Sequence, residues 1–346
     1  MTTGRVFGDS RCRVLTVSAA AVAGTTLFAV TAASDGLGHT LAQGMAGAGG
    51  ADRRWLLGAL AAFLASLVAT AGGWRSTLTA CGGQLGAVDA CARYGAGSLV
   101  NTVLPARLGE AVRVGLFSKA FRPEQSGRTL TTVGALAAVT AADTLTQSLV
   151  VGAAASVGPV PVWSLAALGG VMTCAGGAAV LAARRFRTGR AARLLQVFPR
   201  LAESPGRAAR LFAWLGAATV ARLLAAIAIA ASLGIPHALE AGLVMCAVVI
   251  VATAVPLTPG NVGVTSGAIV LALHAQGVQV ASAVAAGLVF HAVELSAGIL
   301  FGLGGALALV PYPSVAVRRW SLGITVLFAG ALLAAGVGTA FVPQLA

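Results

Sequence analysis

Leu211 to Leu233 reads LFAWLGAATVARLLAAIAIAASL, a run interrupted by a single charge, Arg222. A helix needs about 20 apolar residues to cross the hydrocarbon core of a bilayer. This run is long enough, contains no proline and does not alternate apolar with polar positions. It therefore reads as a transmembrane helix rather than a barrel strand, whose segments alternate. In lipid every backbone amide must find its partner within the segment, and a helix provides that.

Runs of the same kind recur on both sides. Val14–Ala33, Trp55–Gly73, Leu130–Val157, Val160–Ala183, Ala281–Val310 and Trp320–Phe341 are all predicted spans. Val14–Ala33 shares small residues near its end with a secretory signal peptide, but its apolar part exceeds the ~7–15 residues of such a signal. Gly158, Pro159 and Pro161 mark a turn between the third and fourth of these six runs. Composition agrees: of 346 residues 58% are hydrophobic and only 10% charged. Soluble domains carry about 25% charged residues, so a soluble enzyme is excluded, and the high hydrophobicity excludes disorder. The expected fold is an all-α polytopic bundle of about 7–8 transmembrane helices with two re-entrant segments in a pseudo-inverted repeat.

The net charge is +13, and all but one of the 23 basic residues are arginine. They concentrate between apolar runs, where membrane topology uses them, so nucleic acid is not an expected partner. Arg184–Arg210 is the most basic loop, followed by Arg107–Arg128 and the pair Arg318 and Arg319. Basic loops stay in the cytoplasm. Placing all three there, with the N-terminus, requires that Leu78–Leu104 does not cross. It also requires that the short apolar pieces Gly242–Val255 and Val262–Ala275, separated by Pro256, Pro259 and Gly260, dip in and return. A multi-pass protein of the cell membrane follows, read as one domain over 1–346. Its two candidate halves are 1–183 and 211–346, joined by the 184–210 loop.

Two motifs carry the chemistry. In the first, Asn101, Leu104, Pro105, Arg107, Gly109, Glu110 and Arg113 surround a predicted helix start. Arg107, Glu110 and Arg113 stand three apart and share a helix face. Arginine's planar fork suits phosphate, and a helix N-terminus adds free amides, so an anionic headgroup fits here. An interfacial helix whose arginines snorkel and pair with Glu110 fits the same residues. The second motif, Pro256 to Gly263, echoes the first: Pro105 to Gly109 and Pro259 to Gly263 have the same spacing. Its backbone must bend at membrane depth, which favours a cavity lining that includes Pro259, Gly260, Asn261 and Gly263.

Asp143, Arg222, His291 and Glu294 fall within predicted spans. Charges there are costly and face the bundle interior, so Arg222 is expected to pair with Asp143 or Glu294, as a packing device or a relay. His291 and Glu294 lack further ligands at matching spacing, and no metal is expected. The five cysteines, Cys12, Cys81, Cys91, Cys174 and Cys246, form no C-x-x-C pair, so neither a disulfide framework nor a zinc site is indicated. With no Gly-x-Ser-x-Gly elbow and no His-Glu-x-x-His helix, neither an enzyme nor a cofactor is expected.

The order and spacing of the two motifs resemble the transmembrane domain of lysylphosphatidylglycerol synthases, over roughly Trp55 to Leu309. That flippase-like family includes stand-alone membrane proteins linked to polyprenyl-phosphate and glycolipid pathways. The resemblance implies paired re-entrant segments and a lipid substrate. Ser266, Thr140 and His291 depart from it, standing where the family often has glutamate, arginine and arginine. The leading expectation is a flippase or transporter of a membrane lipid with an anionic phosphate headgroup, a phospholipid or a polyprenyl-phosphate-linked glycolipid. The alternatives are a non-transporting partner of an envelope-biosynthesis enzyme and a membrane-embedded transferase.

Overall fold

Asp52 opens the first long helix, its Oδ1 accepting the Arg54 backbone N–H at 2.8 Å, and apolar residues then continue that helix to Ala80. The computed structural model describes residues 43–103, 108–122, 127–157, 194–253 and 262–309. Its elements are α1 Arg53–Ala80, α2 Ala87–Val103, α3 Leu108–Ser118, α4 Arg128–Val157, α5 Val197–Ala202, α6 Pro205–Ser232, α7 Ala238–Thr253, α8 Val262–Ala275 and α9 Val280–Leu309. The protein is an all-α, multi-pass membrane bundle. Helices α1, α4, α6 and α9 are long and apolar enough to cross a bilayer. They carry the predicted spans Trp55–Gly73, Leu130–Val157, Leu211–Leu233 and Ala281–Val310. The spans expected at Val14–Ala33, Val160–Ala183 and Trp320–Phe341 lie outside the described residues.

Several helices overrun the apolar runs, for a local reason. Beyond Gly73, α1 passes through Arg75, Ser76, Thr77 and Thr79, yet Thr77 and Thr79 hydroxyls donate to the carbonyls of Gly73 and Arg75 at 3.0 and 2.9 Å. A hydroxyl bonded within its own helix needs no water, so the helix continues. At the other boundary, α6 starts at Pro205 rather than Leu211, because proline suits a first helical position.

The elements repeat. Each of α6 and α9 begins and ends 152 residues after α1 and α4, the same separation that divides Thr70 from Arg222. Gly82 and Gly234 end the equivalent helices α1 and α6 with φ of 88° and 64°, a left-handed turn that glycine adopts without Cβ strain. Packing repeats too. Helix α2 lies on α9 as α7 lies on α4; α3 meets α4 as α8 meets α9; and α1 meets α9 as α6 meets α4.

The central pair, α1 with α6, runs antiparallel. At one end Asp52 N–H donates to Ser232 O at 2.9 Å, while at the other Gly73 faces Leu211 and Leu215. A Cβ on Gly72 would sit 2.6 Å from the Trp214 ring, so this glycine admits the close approach. Stacked Trp74 and Phe117, 4.7 Å apart, tie α3 to α1, and Phe63 meets Phe290 edge-on at 5.4 Å between α1 and α9. Leu57, Leu149, Val220, Leu224 and Leu271 remain exposed on the outside, where acyl chains replace water.

The short helices form two hairpins that enter from opposite ends. At one end Gln84 N–H donates to Ala120 O at 2.9 Å, so α2 departs from where α3 returns. The same end gathers Lys119, Arg122 and Arg200, whose Nη1 donates to Cys81 O at 2.9 Å. Burial there pushes the Cys81 thiol up, against the lowering by Arg200, and a protonated thiol is a poor nucleophile. Hairpin α7–α8 begins and ends at the other end. Its first residue follows the Ser232 end of α6, and α9 starts beside Gly44, eight residues before Asp52.

Candidate functional site

The first hairpin closes around a polar node. Asn101, near the end of α2, accepts the Gly109 backbone N–H on Oδ1 at 2.6 Å, capping the start of α3. Its Nδ2 donates to Glu110 Oε1 at 3.4 Å. Glu110 also pairs with Arg113 Nη1, while Arg113 Nη2 donates to Ser98 Oγ at 2.7 Å. The guanidinium carbon stands 4.1 Å from the centre of the Tyr94 ring, a cation–π contact strengthened by the loss of water. Arg113 is only 8% exposed, so it does not snorkel to the interface. Its Nε is buried with no hydrogen-bond partner among the described residues, a donor left open inside the bundle.

Gly97 makes room for this arrangement. A Cβ there would collide with the aliphatic stem of Arg113, and one on Gly109 would collide with Gly97 O. Both glycines are requirements of close approach between α2 and α3. Arg93 braces the hairpin base, bonding Asp89 at 2.9 Å and donating to Leu116 O at 2.8 Å.

The second constellation lies in the long helices. Arg222 Nη1 stands 3.6 Å from Asp143 Oδ2, and its Nε and Nη2 donate to Ser66 Oγ and Thr70 Oγ1 at 3.3 and 3.4 Å. Asp143 Oδ2 also accepts from Gln147 Nε2 at 2.8 Å, while its Oδ1 is buried with no partner among the described residues. Glu294 lies within electrostatic range of Arg222 and Cys246, and Tyr94 within range of Arg222. Neither ring nitrogen of His291 has a hydrogen-bond partner among the described residues.

Of the residues singled out from sequence, Asn101, Gly109, Glu110 and Arg113 thus meet in one node, and Asp143 pairs with Arg222. Gly263 lies in the first turn of α8. Pro105, Arg107, Pro259, Gly260 and Asn261 lie outside the described residues. The Nη atoms of Arg113 serve Glu110 and Ser98, and its Nε has no partner among the described residues. Tyr94, Ser98, Ser66 and Thr70 went unnoticed in the sequence. The signal was there: Tyr94, Ser98 and Asn101 recur at helical spacing along α2, as Ser66 and Thr70 do along α1.

An apolar groove of about 370 Å³ runs beside the node between α1, α2 and α9, lined by Leu64, Ala92, Leu300, Phe301 and Ala308 among others. Phe301 packs edge-on against Tyr94, ring centres 6.4 Å apart. One aromatic pair therefore forms a wall shared by the charged node and the groove.

These features define a helical membrane protein with two opposed hairpins and a buried arginine paired with a carboxylate. A family model for the lysylphosphatidylglycerol synthase TM region matches residues 18–302, and the chain belongs to that family of membrane proteins associated with lipid biosynthesis or flipping. No curated protein and no solved structure matches the chain.

Proposed function

We propose that the protein moves a phosphate-headgroup lipid between the leaflets of the cell membrane. The observation that carries this is the shared wall: Tyr94 holds Arg113 on its face and Phe301 at its edge, so the Arg113 guanidinium adjoins an apolar groove. A lipid has the same two-part chemistry, an anionic head on an apolar tail. Arg107 contacts the phosphate, Arg113 offers its open Nε, and Glu110 and Asn101 hold Arg113 in place. Pro259 to Gly263, the sequence echo of Pro105 to Gly109, contribute the other half-site, as paired interruptions do in transporters built from inverted repeats.

The test is movement of a fluorescent phosphatidylglycerol, and separately of a short polyprenyl phosphate, in vesicles holding the full chain. Losing a charged hydrogen bond removes about 1.5–3 kcal/mol, so Arg107→Ala and Arg113→Ala should each slow movement by roughly tenfold or more. Arg113→Lys keeps the charge but loses the planar ring contact and the fork, and falls between. Unchanged movement in both alanine variants at normal expression would reject this assignment.

A further inference from the structure

Arg222 pairs with Asp143 and lies within electrostatic range of Glu294, two carboxylates that come from opposite halves of the repeat. Asp143 on α4 and Glu294 on α9 fall within one residue of equivalence under the 152-residue offset. Asp143 holds Arg222 directly at 3.6 Å. Glu294 makes no hydrogen bond or ion pair with any described residue, although Arg222 lies within its electrostatic range. Among the described residues, the groups facing this trio are Tyr94 from α2, Cys246 from α7, the hydroxyls of Ser66 and Thr70 from α1, and His291 one turn before Glu294. None of them supplies a second fixed positive charge. One guanidinium beside two carboxylates is neutral only when one carboxyl carries a proton, and a net charge at bilayer depth is expensive.

We propose that Glu294 is a proton-binding site whose occupancy decides which carboxylate holds Arg222. With the proton aboard, Glu294 is neutral and Arg222 rests on Asp143, the arrangement in this structure. When the proton leaves to water the trio carries one net negative charge, and Glu294, an anion with no other donor among the described residues, draws Arg222 across the interface between α6 and α9. Asp143 then keeps the Gln147 amide as its donor. Helix α6 packs against α1, α4, α7 and α9, so a shift of its arginine changes the contact between the two halves. Use of that proton to drive lipid movement rests on the transport function proposed above.

The test is reaction of the full chain in phosphatidylcholine nanodiscs with dicyclohexylcarbodiimide, which adds to a protonated carboxyl in apolar surroundings and leaves a mass tag as an acylurea. Peptide mass spectrometry should find Glu294 modified and Asp143 unmodified in mildly acidic buffer, with the yield falling as the buffer is made more alkaline. Asp143→Asn frees Arg222 to pair with Glu294, and Glu294 modification should fall several-fold. An unmodified Glu294 across the range, preferential modification of Asp143, or an Asp143→Asn variant that elutes as one species yet modifies Glu294 at the wild-type level would each overturn the proposal. The wild-type pH series decides alone if that variant does not fold. In lipid-loaded vesicles, Glu294→Gln should lose the response to an imposed pH gradient. A modified Glu294 in a chain that moves no lipid would reject the transport function while leaving the proton site in place. Lipid movement in the wild type that ignores the gradient would overturn the coupling.

Discussion

Arg113 shows how a charged side chain is kept inside an apolar bundle. Two of its nitrogens go to Glu110 and Ser98, and its face goes to Tyr94, so most of the lost hydration is replaced by fixed partners. Its Nε has no partner among the described residues. The arrangement depends on an absent atom as much as on those present, because Gly97 leaves the space that the Arg113 stem occupies. Gly97→Ala is therefore expected to reproduce the transport loss of Arg113→Ala, roughly tenfold, while leaving expression near normal. Lipid movement in vesicles checks this. Wild-type rates would mean that α2 and α3 tolerate a wider separation.

At the scale of elements, the hairpins are held by backbone contacts that only small residues allow. Along α2 and α9, a Cβ on Gly95 would stand 2.6 Å from Phe301 O, and one on Gly305 would stand 2.6 Å from Ala92 O. Each obstruction is main chain, which cannot rotate away. Gly305→Val should force the helices apart at a cost of about 1–3 kcal/mol, the usual range for overpacking. A lower unfolding midpoint in detergent is the measurement, with Gly304→Val as the control, since a Cβ at Gly304 meets nothing within 4 Å. Equal midpoints for the two variants would contradict this close packing of α2 on α9.

For the whole molecule, the two hairpins enter from opposite ends, and the basic residues Lys119, Arg122, Arg200 and Arg207 lie together at one of them. Positive loops remain on the cytoplasmic side, so that end should face the cytoplasm. Single cysteines at Lys119 and Arg207 of a cysteine-free variant should escape an impermeant maleimide added to intact cells, while one at Gln279 should react. All three positions are exposed, so access and not burial sets the outcome. Labelling of Lys119→Cys or Arg207→Cys from outside would invert the orientation.

The apolar runs alone determined that the chain is a helical membrane protein, because a span must satisfy its own backbone and therefore announces itself in consecutive residues. Helix ends were less legible. Polar residues such as Thr77 and Thr79 break the apolar run without breaking the helix, since their hydroxyls bond to the preceding turn. The motif around Glu110 and Arg113 was visible through its spacing, and so was the need to pair Arg222. What sequence could not specify was which acid takes that arginine. Asp143 and Glu294 are similar candidates along the chain, and only the packing of α4 against α6 brings Asp143 to 3.6 Å. The place of Tyr94 beneath Arg113 and beside Phe301 also belongs to tertiary structure, because α2, α3 and α9 must meet before one ring can serve both neighbours. Local sequence sets hydrogen bonds within a helix, whereas the partners of a buried charge are set by which helices approach closely enough to exclude water.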